Sequence, residues 1–373
     1  MPFADDLIGT PVATALANAI RVAAPGTALS QLSAAGERLT GLSLRERSDL
    51  LRDALLADIP GDYGHLAEVV RSASGDVATF RGWLIWPVTS AVAVRATQEG
   101  TGAAFADAMS LLAELTGRLT SEFALRTLLR HDLDGALDII GGWTESPDEH
   151  VRRLASEGTR PYLPWAVRVP ELSAQPGRTL ALLDALHQDP SEYVRRSVAN
   201  HLNDLSRDAP DLVVRTATRW LEDPAPTTPA VARRGLRTLV KRGHVGALAL
   251  LGFEPATVDI DGPHLAELEV PWAGSIRFRA VLGNVGTDSV RLAIDYVVQH
   301  RKANGTLSPK VFKLATRTLA PGEEVVLQRE HSFRQITTRR YHPGTHAVAL
   351  QVNGIATEAA TFTLLPPTGT SEG

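Results

Sequence analysis

The chain has 373 residues, of which 44% are apolar and 21% charged, and its formal net charge is −4. That length corresponds to roughly two domains, and the apolar fraction excludes wholesale disorder. Cysteine is absent, which removes thiol catalysis, thiolate metal sites, iron–sulfur clusters and disulfides. The longest apolar runs, such as Ala247–Leu251, are too short to cross a bilayer, and Met1–Asp6 carries acid where a signal peptide needs base. A cytoplasmic protein is expected. Lysine occurs only at 241, 302, 310 and 313, so the first 240 residues offer no Schiff-base or P-loop lysine.

Charge is unevenly spread. Residues 1–140 hold 11 Arg against 17 acids, 141–242 hold 15 cations against 13 acids, and 277–340 hold 12 cations against 5 acids. An acidic start, an Arg-dense middle and a basic C-terminal patch suit an anionic partner on one face.

From about residue 10 to 252, apolar residues recur at three- and four-residue spacing with frequent turn residues, which predicts helices. Within this stretch Pro147-Asp-Glu-His-Val-Arg-Arg-Leu-Ala-Ser-Glu157 aligns with Pro190-Ser-Glu-Tyr-Val-Arg-Arg-Ser-Val-Ala-Asn200 at an offset of 43, and a weaker copy begins at Pro229. A helix-pair repeat near 40 residues predicts an all-α HEAT-like solenoid, an α-α superhelix in which each pair buries its apolar face on its neighbours. Arg153 and Glu157 are four apart and share a helix face, as do Arg196, Asn200 and Asp204. Equivalent positions in adjacent repeats should bring these five residues to one wall. On generic grounds such a stripe reads first as a solvated face with ordinary ion pairs, since most such pairs are surface pairs of little energetic worth.

From about 258 the pattern changes to alternation, as in Ser275–Leu282, Val290–Val297 and Thr345–Val352, with Gly, Asn and Pro between the runs. This predicts a small all-β immunoglobulin-like sandwich. The expected organisation is a helical-repeat domain over 1–252, a β-sandwich over 258–366 and a disordered tail over 367–373. Of the 11 histidines, His131, His150, His187, His201 and His244 lie in the helical part and form no HExxH or close metal-ligand pair, and Ser121, Ser156 and Ser197 lie in no Gly-x-Ser-x-Gly elbow. Neither a metal nor a cofactor is expected.

The segments Val151–Ala166 and Tyr193–Asp204 resemble hallmarks of the AlkC family of bacterial DNA glycosylases. Phe80–Pro87 and Ser121–Arg126 fit the same family in the same order. The resemblance covers roughly residues 10–250, and a C-terminal immunoglobulin-like domain occurs in some relatives. It implies HEAT-like repeats that cradle duplex DNA and remove cationic alkylated bases such as 3-methyladenine and 3-methylcytosine, without a deep pocket for a flipped base. It also implies roles for Glu122, Arg153, Glu157 and Asp204 in catalysis and for Trp165 as an aromatic lining the site. Trp83 and Trp86 fit either the site or the core.

A base that already carries positive charge leaves readily, so the enzyme must stabilise the oxocarbenium-like sugar and orient a water. Carboxylates do both. Arg153 beside Glu157 either keeps it ionised or holds a phosphate. The lack of lysine predicts a monofunctional glycosylase. DNA contacts are expected from Arg152, Arg160, Arg195, Arg196, Asn200, Arg233 and Arg234. In the sandwich, Lys302, Lys310, Arg339 and Arg340 belong to a larger patch with Arg277, Arg279, Arg301, Lys313, Arg317 and Arg334 that could grip backbone phosphates. The patch reads equally as a solvated face. The partner expected is duplex DNA carrying alkylated bases, no membrane is involved, and the protein is expected to act as a monomer. The competing reading is a non-enzymatic HEAT scaffold or lesion-binding protein.

Overall fold

The computed structural model describes residues 7–336 and 339–367. Contacts divide the chain into two compact units, 1–235 and 236–373. The division falls upstream of the change from helical to alternating pattern, because two short helices after Gly235 pack with the β unit. Of the tail expected at 367–373, residues 368–373 lie outside the described residues.

The first unit is helical: α1 (Thr10–Ala23), α2 (Ser30–Glu37), α3 (Leu44–Asp58), α4 (Tyr63–Ser74), α5 (Ile85–Glu99), α6 (Gly102–Leu115), α7 (Glu122–His131), α8 (Leu133–Trp143), α9 (Glu149–Glu157), α10 (Pro170–Ala174), α11 (Leu180–Leu186), α12 (Glu192–Leu205), α13 (Pro210–Glu222) and α14 (Thr228–Gly235). Their starts are written in the sequence. Ser43 and Glu46 form a capping box on α3. Asp62, Thr101, Asp132 and Asp148 accept backbone N–H bonds at the starts of α4, α6, α8 and α9. Proline occupies the first turn of α1, α10 and α13, where its missing N–H costs nothing.

The repeat seen in the sequence is a repeat of structure. α9 and α12 occupy the two aligned segments and pack on each other, and α14, from the third copy, packs on α12. Each helix buries one apolar stripe, such as Val151, Leu154 and Ala155 on α9 and Val194, Val198, Leu202 and Leu205 on α12. Burying such side chains stabilises by about 1.5–3 kcal/mol each, so the stacking itself holds the wall of helices.

The second unit begins with two short helices, α15 (Arg237–Lys241) and α16 (Val245–Ala249). Its strands are β1 (Val258–Leu265), β2 (Glu269–Val270), β3 (Ser275–Asn284), β4 (Val290–Arg301), β5 (Leu307–Leu319), β6 (Glu324–Ser332), β7 (Gly344–Val352), β8 (Ile355–Ala356) and β9 (Ala360–Leu364). They form one sheet in the order β1-β3-β6 and another in the order β2-β9-β7-β4-β5, with β8 on β7. All pairings are antiparallel except β2 with β9. The alternation of β3, buried at Ile276, Phe278, Ala280 and Leu282, aims these residues at Ile294, Tyr296, Leu350 and Phe362 of the other sheet.

Candidate functional site

Five charged residues from α7, α9, the segment just after α9 and α12 form one row. Glu122 opens α7, where the helix N-terminus favours a carboxylate. Its Oε2 accepts from Thr120 Oγ1 at 2.8 Å and from Arg153 Nη1. Arg153 lies on α9 and faces Glu157, one turn on, at 3.5 Å. Glu157 Oε1 accepts from Arg160 Nη1 at 2.5 Å, and the Nε of the same guanidinium donates to Asp204 Oδ2 at 2.9 Å. The order along the row is Glu122, Arg153, Glu157, Arg160, Asp204. Glu122, Glu157, Arg160 and Asp204 are buried and Arg153 is nearly so.

The helix spacing explains the row. Tyr193, Ser197 and Asp204 stand four and seven residues apart on α12, so they share the face that meets α9. Ser197 Oγ donates to Glu157 Oε2 at 2.6 Å, and the Tyr193 ring lies 5.2 Å from the Arg153 guanidinium carbon. Behind them, buried His201 bridges Thr179 and the Ser156 carbonyl at 3.1 and 2.9 Å. Burial lowers its pKa to about 3, so this imidazole is neutral.

Burial also raises the pKa of Glu122 and Asp204, opposed at Glu122 by Arg153 and at Asp204 by Arg160. Burial works against the charges of Arg153 and Arg160, yet the carboxylates beside them more than offset it, and both pKa values rise. Three carboxylates against two guanidiniums give the ionised row one net negative charge.

The segment after α9 is fixed from below by Arg126, a fully buried residue of α7. It donates to the carbonyls of Gly158 (2.9 Å), Arg160 (2.9 Å) and Val167 (3.0 Å). Arg168 donates to the Pro161 carbonyl at 2.7 Å, and Arg168 and Arg207 both lie over the Tyr162 ring. Arg45 donates to the carbonyl of Trp165. The result presents Trp165 at 51% exposure with a φ of +63°, a conformation that non-glycine residues adopt only when neighbours enforce it.

The structure therefore brings together Glu122, Arg153, Glu157 and Asp204 and adds Arg160, a residue expected to reach DNA. It does not bring in Arg196, whose half-exposed side chain pairs with Glu192 at 2.8 Å. Asn200 is half-buried on α12. Arg152 is engaged within the protein: it pairs with Asp189 at 2.7 Å and donates to the carbonyls of Ser146 and Pro147. Arg195 repeats this at the equivalent place, on the carbonyls of Asp189 and Pro190. Arg195, Arg196 and Arg234 line a hollow of about 220 Å³ beside Glu192, and Arg233 is exposed nearby on α14. Trp86 is core, stacked on Phe123 at 4.0 Å, with Trp83 partly buried beside it.

Sequence reasoning did not find Arg126, Thr120, Tyr193 or Ser197. Arg126 had a signal, being an arginine among the apolar positions Ala124, Leu125, Leu128 and Leu129, all of them buried. Thr120 and Ser197 had none, because a hydroxyl's partner across two repeats depends on how the helices pack.

In the β unit the basic residues separate. Arg277 and Arg279 lie on β3, and Arg277 pairs with Glu267. Lys313 stands opposite Asp295 in the β4–β5 register. Arg317 lies on β5, and Arg334 follows β6. Arg301, Lys302, Lys310, Arg339 and Arg340 instead line one hollow of about 360 Å³ with His300 and His342, and no carboxylate is among its lining residues. Among the described residues no group of three or more His, Asp or Glu side chains is arranged to hold a metal ion.

The fold and this row define a class: a helical-repeat protein with a buried carboxylate–arginine site, followed by an immunoglobulin-like sandwich. Residues 259–366 match the family described as "Uncharacterised protein YhaZ, C-terminal Ig-like domain". The chain is 32% identical over 322 residues to YhaZ of Bacillus subtilis (strain 168), covering 86% of this chain and 87% of that protein. It also aligns with the structure of the Pseudomonas fluorescens alkylpurine DNA glycosylase AlkC bound to DNA containing an abasic site analog. There the TM-score is 0.83 and the identity 32%, over 98% of this chain and 100% of that one. The chain belongs to the AlkC family.

Proposed function

We propose that this protein is a monofunctional DNA glycosylase that hydrolyses the N-glycosidic bond of cationic alkylated bases, of the 3-methyladenine and 3-methylcytosine type, in duplex DNA, initiating base excision repair. The observation that carries this reading is the buried row Glu122–Arg153–Glu157–Arg160–Asp204. A purely DNA-binding surface gains nothing from three buried acids, because carboxylates repel phosphate. A site that must stabilise a cationic sugar gains a great deal.

The chemistry follows from the charge. Alkylation puts positive charge on the base, so the C1′–N bond breaks with its electron pair passing to the base, which leaves neutral and needs no protonation. The positive charge moves to the sugar as an oxocarbenium ion, and the net negative charge of the row stabilises it. Water then adds to C1′, its proton passes to a carboxylate, and an abasic site remains. The first 240 residues contain no lysine to form an imine with that product, so strand cleavage is not part of the reaction.

Supporting the DNA partner are the exposed Trp165 on its braced loop, the hollow lined by Arg195, Arg196 and Arg234, and the carboxylate-free hollow of Arg301, Lys302, Lys310, Arg339 and Arg340, whose geometry suits backbone phosphates. We assign the glycosylase domain to 1–252 and the sandwich to 258–366, and take the protein to act as a cytoplasmic monomer. Among the described residues no helix is long and apolar enough to cross a membrane.

The test is base release from duplex DNA treated with a methylating agent, with chromatography of the freed bases. Release of 3-methyladenine or 3-methylcytosine supports the reading and ranks the substrates. Tight DNA binding without release would favour a scaffold or lesion-binding protein.

A further inference from the structure

The three carboxylates of the row are not held alike. Glu157 has both oxygens committed: Oε1 to Arg160 at 2.5 Å with Arg153 at 3.5 Å, and Oε2 to Ser197 at 2.6 Å. Glu122 uses one oxygen, but that oxygen takes two donors, Thr120 and Arg153. Asp204 is held by the fewest. Its Oδ2 accepts from Arg160 Nε at 2.9 Å, and its Oδ1 takes no hydrogen bond among the described residues.

Each donor withdraws electron density and weakens a carboxylate as a base. A carboxylate with both oxygens engaged must also break a bond before it accepts a proton. Glu157 has both oxygens engaged in this way, whereas Asp204 is bonded through Oδ2 and can take a proton on Oδ1 without breaking a bond. One guanidinium makes this difference, since Arg160 closes the last acceptor of Glu157 and grips Asp204 on one side only. Its backbone is itself fixed, through its carbonyl, by Arg126.

We propose that Arg160 is a positioning residue that divides the work of the carboxylates: it locks Glu157 as a fixed negative charge beside the sugar and leaves Asp204 Oδ1 free to hold the attacking water. As the water oxygen bonds to C1′, one of its protons passes to Asp204 Oδ1. The base has already taken the electron pair of the broken C1′–N bond, so charge and atoms balance. The inference rests on the glycosylase reading above.

The groups facing Asp204 are Arg160 from the segment after α9, Glu157 from α9 and Arg207 just past the end of its own helix. Removing Arg160 takes away the main group that opposes burial, so the Asp204 carboxyl should protonate at higher pH. A general base works only when ionised, and the acid limb of the rate profile should move up with it.

The experiment is single-turnover base release from methylated duplex across pH 4–9 by the full chain and by Arg160→Gln, Arg160→Lys, Asp204→Asn and Glu157→Gln. Binding to an abasic-analog duplex is measured for each to exclude misfolding. Asp204→Asn should be at least about 100-fold slower and lose the acid limb, whereas Glu157→Gln should be slower but keep it. Arg160→Gln should shift the limb to higher pH, and Arg160→Lys should return it toward wild type, because an ammonium restores the charge without the fork. An unshifted limb in Arg160→Gln would overturn the proposal. So would a limb lost in Glu157→Gln and kept in Asp204→Asn, a comparison that holds even if the Arg160 variants fail to fold. Absence of base release by the wild type would instead sink the glycosylase reading.

Discussion

Replacing Arg126 by methionine tests the account of how the site is held. Arg126 is fully buried, it donates to the carbonyls of Gly158, Arg160 and Val167, and its Nη2 has no partner among the described residues. Methionine fills similar volume but donates nothing, so three buried carbonyls lose their partner. At about 1–3 kcal/mol for each orphaned acceptor, the loss is about 3–9 kcal/mol. Against this stands the cost of burying the charge. Burial, then Arg168 and Arg160, lower the pKa of Arg126 well below the ordinary arginine value, to about 10. At about 1.4 kcal/mol per pH unit that is about 3 kcal/mol, which the variant recovers. The expected net destabilisation centres on about 3 kcal/mol. Urea unfolding followed by tryptophan fluorescence reads it, because five of the six tryptophans lie before residue 236. The segment carrying Arg160 should also loosen, so base release should fall more than folding stability alone accounts for. An unfolding free energy within about 0.5 kcal/mol of wild type, at an unchanged slope, would refute the argument that Arg126 braces this segment.

Three further outcomes are expected. Acidification should destabilise the protein below pH 6.5: burial lowers the pKa of His201 and His300 to about 3 and of His331 to about 4, so their neutral forms stabilise the fold above the unfolded value of about 6.5, and that stability is lost as pH falls. Each should contribute up to about 1.4 kcal/mol per pH unit between 6.5 and its folded pKa, and denaturant midpoints unchanged from pH 7 to 5 would contradict it. Charge reversal at Lys302 and Lys310 should weaken binding to undamaged duplex and reduce the slope of log K against log salt by at least about 2 units; an unchanged slope would remove these residues from the phosphate contacts. Gly354→Ala should destabilise the β unit by at least about 2 kcal/mol in calorimetry, because a Cβ there would meet the Gly243 carbonyl oxygen at 2.1 Å and Gly354 has a φ of +87°.

Much was decided by sequence. The 43-residue offset and the repeated Pro–acid–Val-Arg-Arg pattern settled that α9 and α12 are equivalent helices, since apolar periodicity and caps act within one helix. The change to alternation near 258 settled the β-sandwich, because a period of two has no other use than a half-buried strand. The Arg153–Glu157 pair followed from one turn of helix. Which charges meet between repeats did not follow. Arg152 and Arg153 are neighbours in sequence, yet helical geometry points one at Asp189 and the other at Glu122. Arg196 and Asp204 seemed to share a stripe, but eight residues of helix carry the stripe round, and Arg196 ends in solvent beside Glu192. Arg160 lies beyond the helix end, where no periodicity places a side chain. Only the path of that segment, held by the buried Arg126, puts its guanidinium between Glu157 and Asp204, and that contact depends on packing among three elements that are distant in sequence.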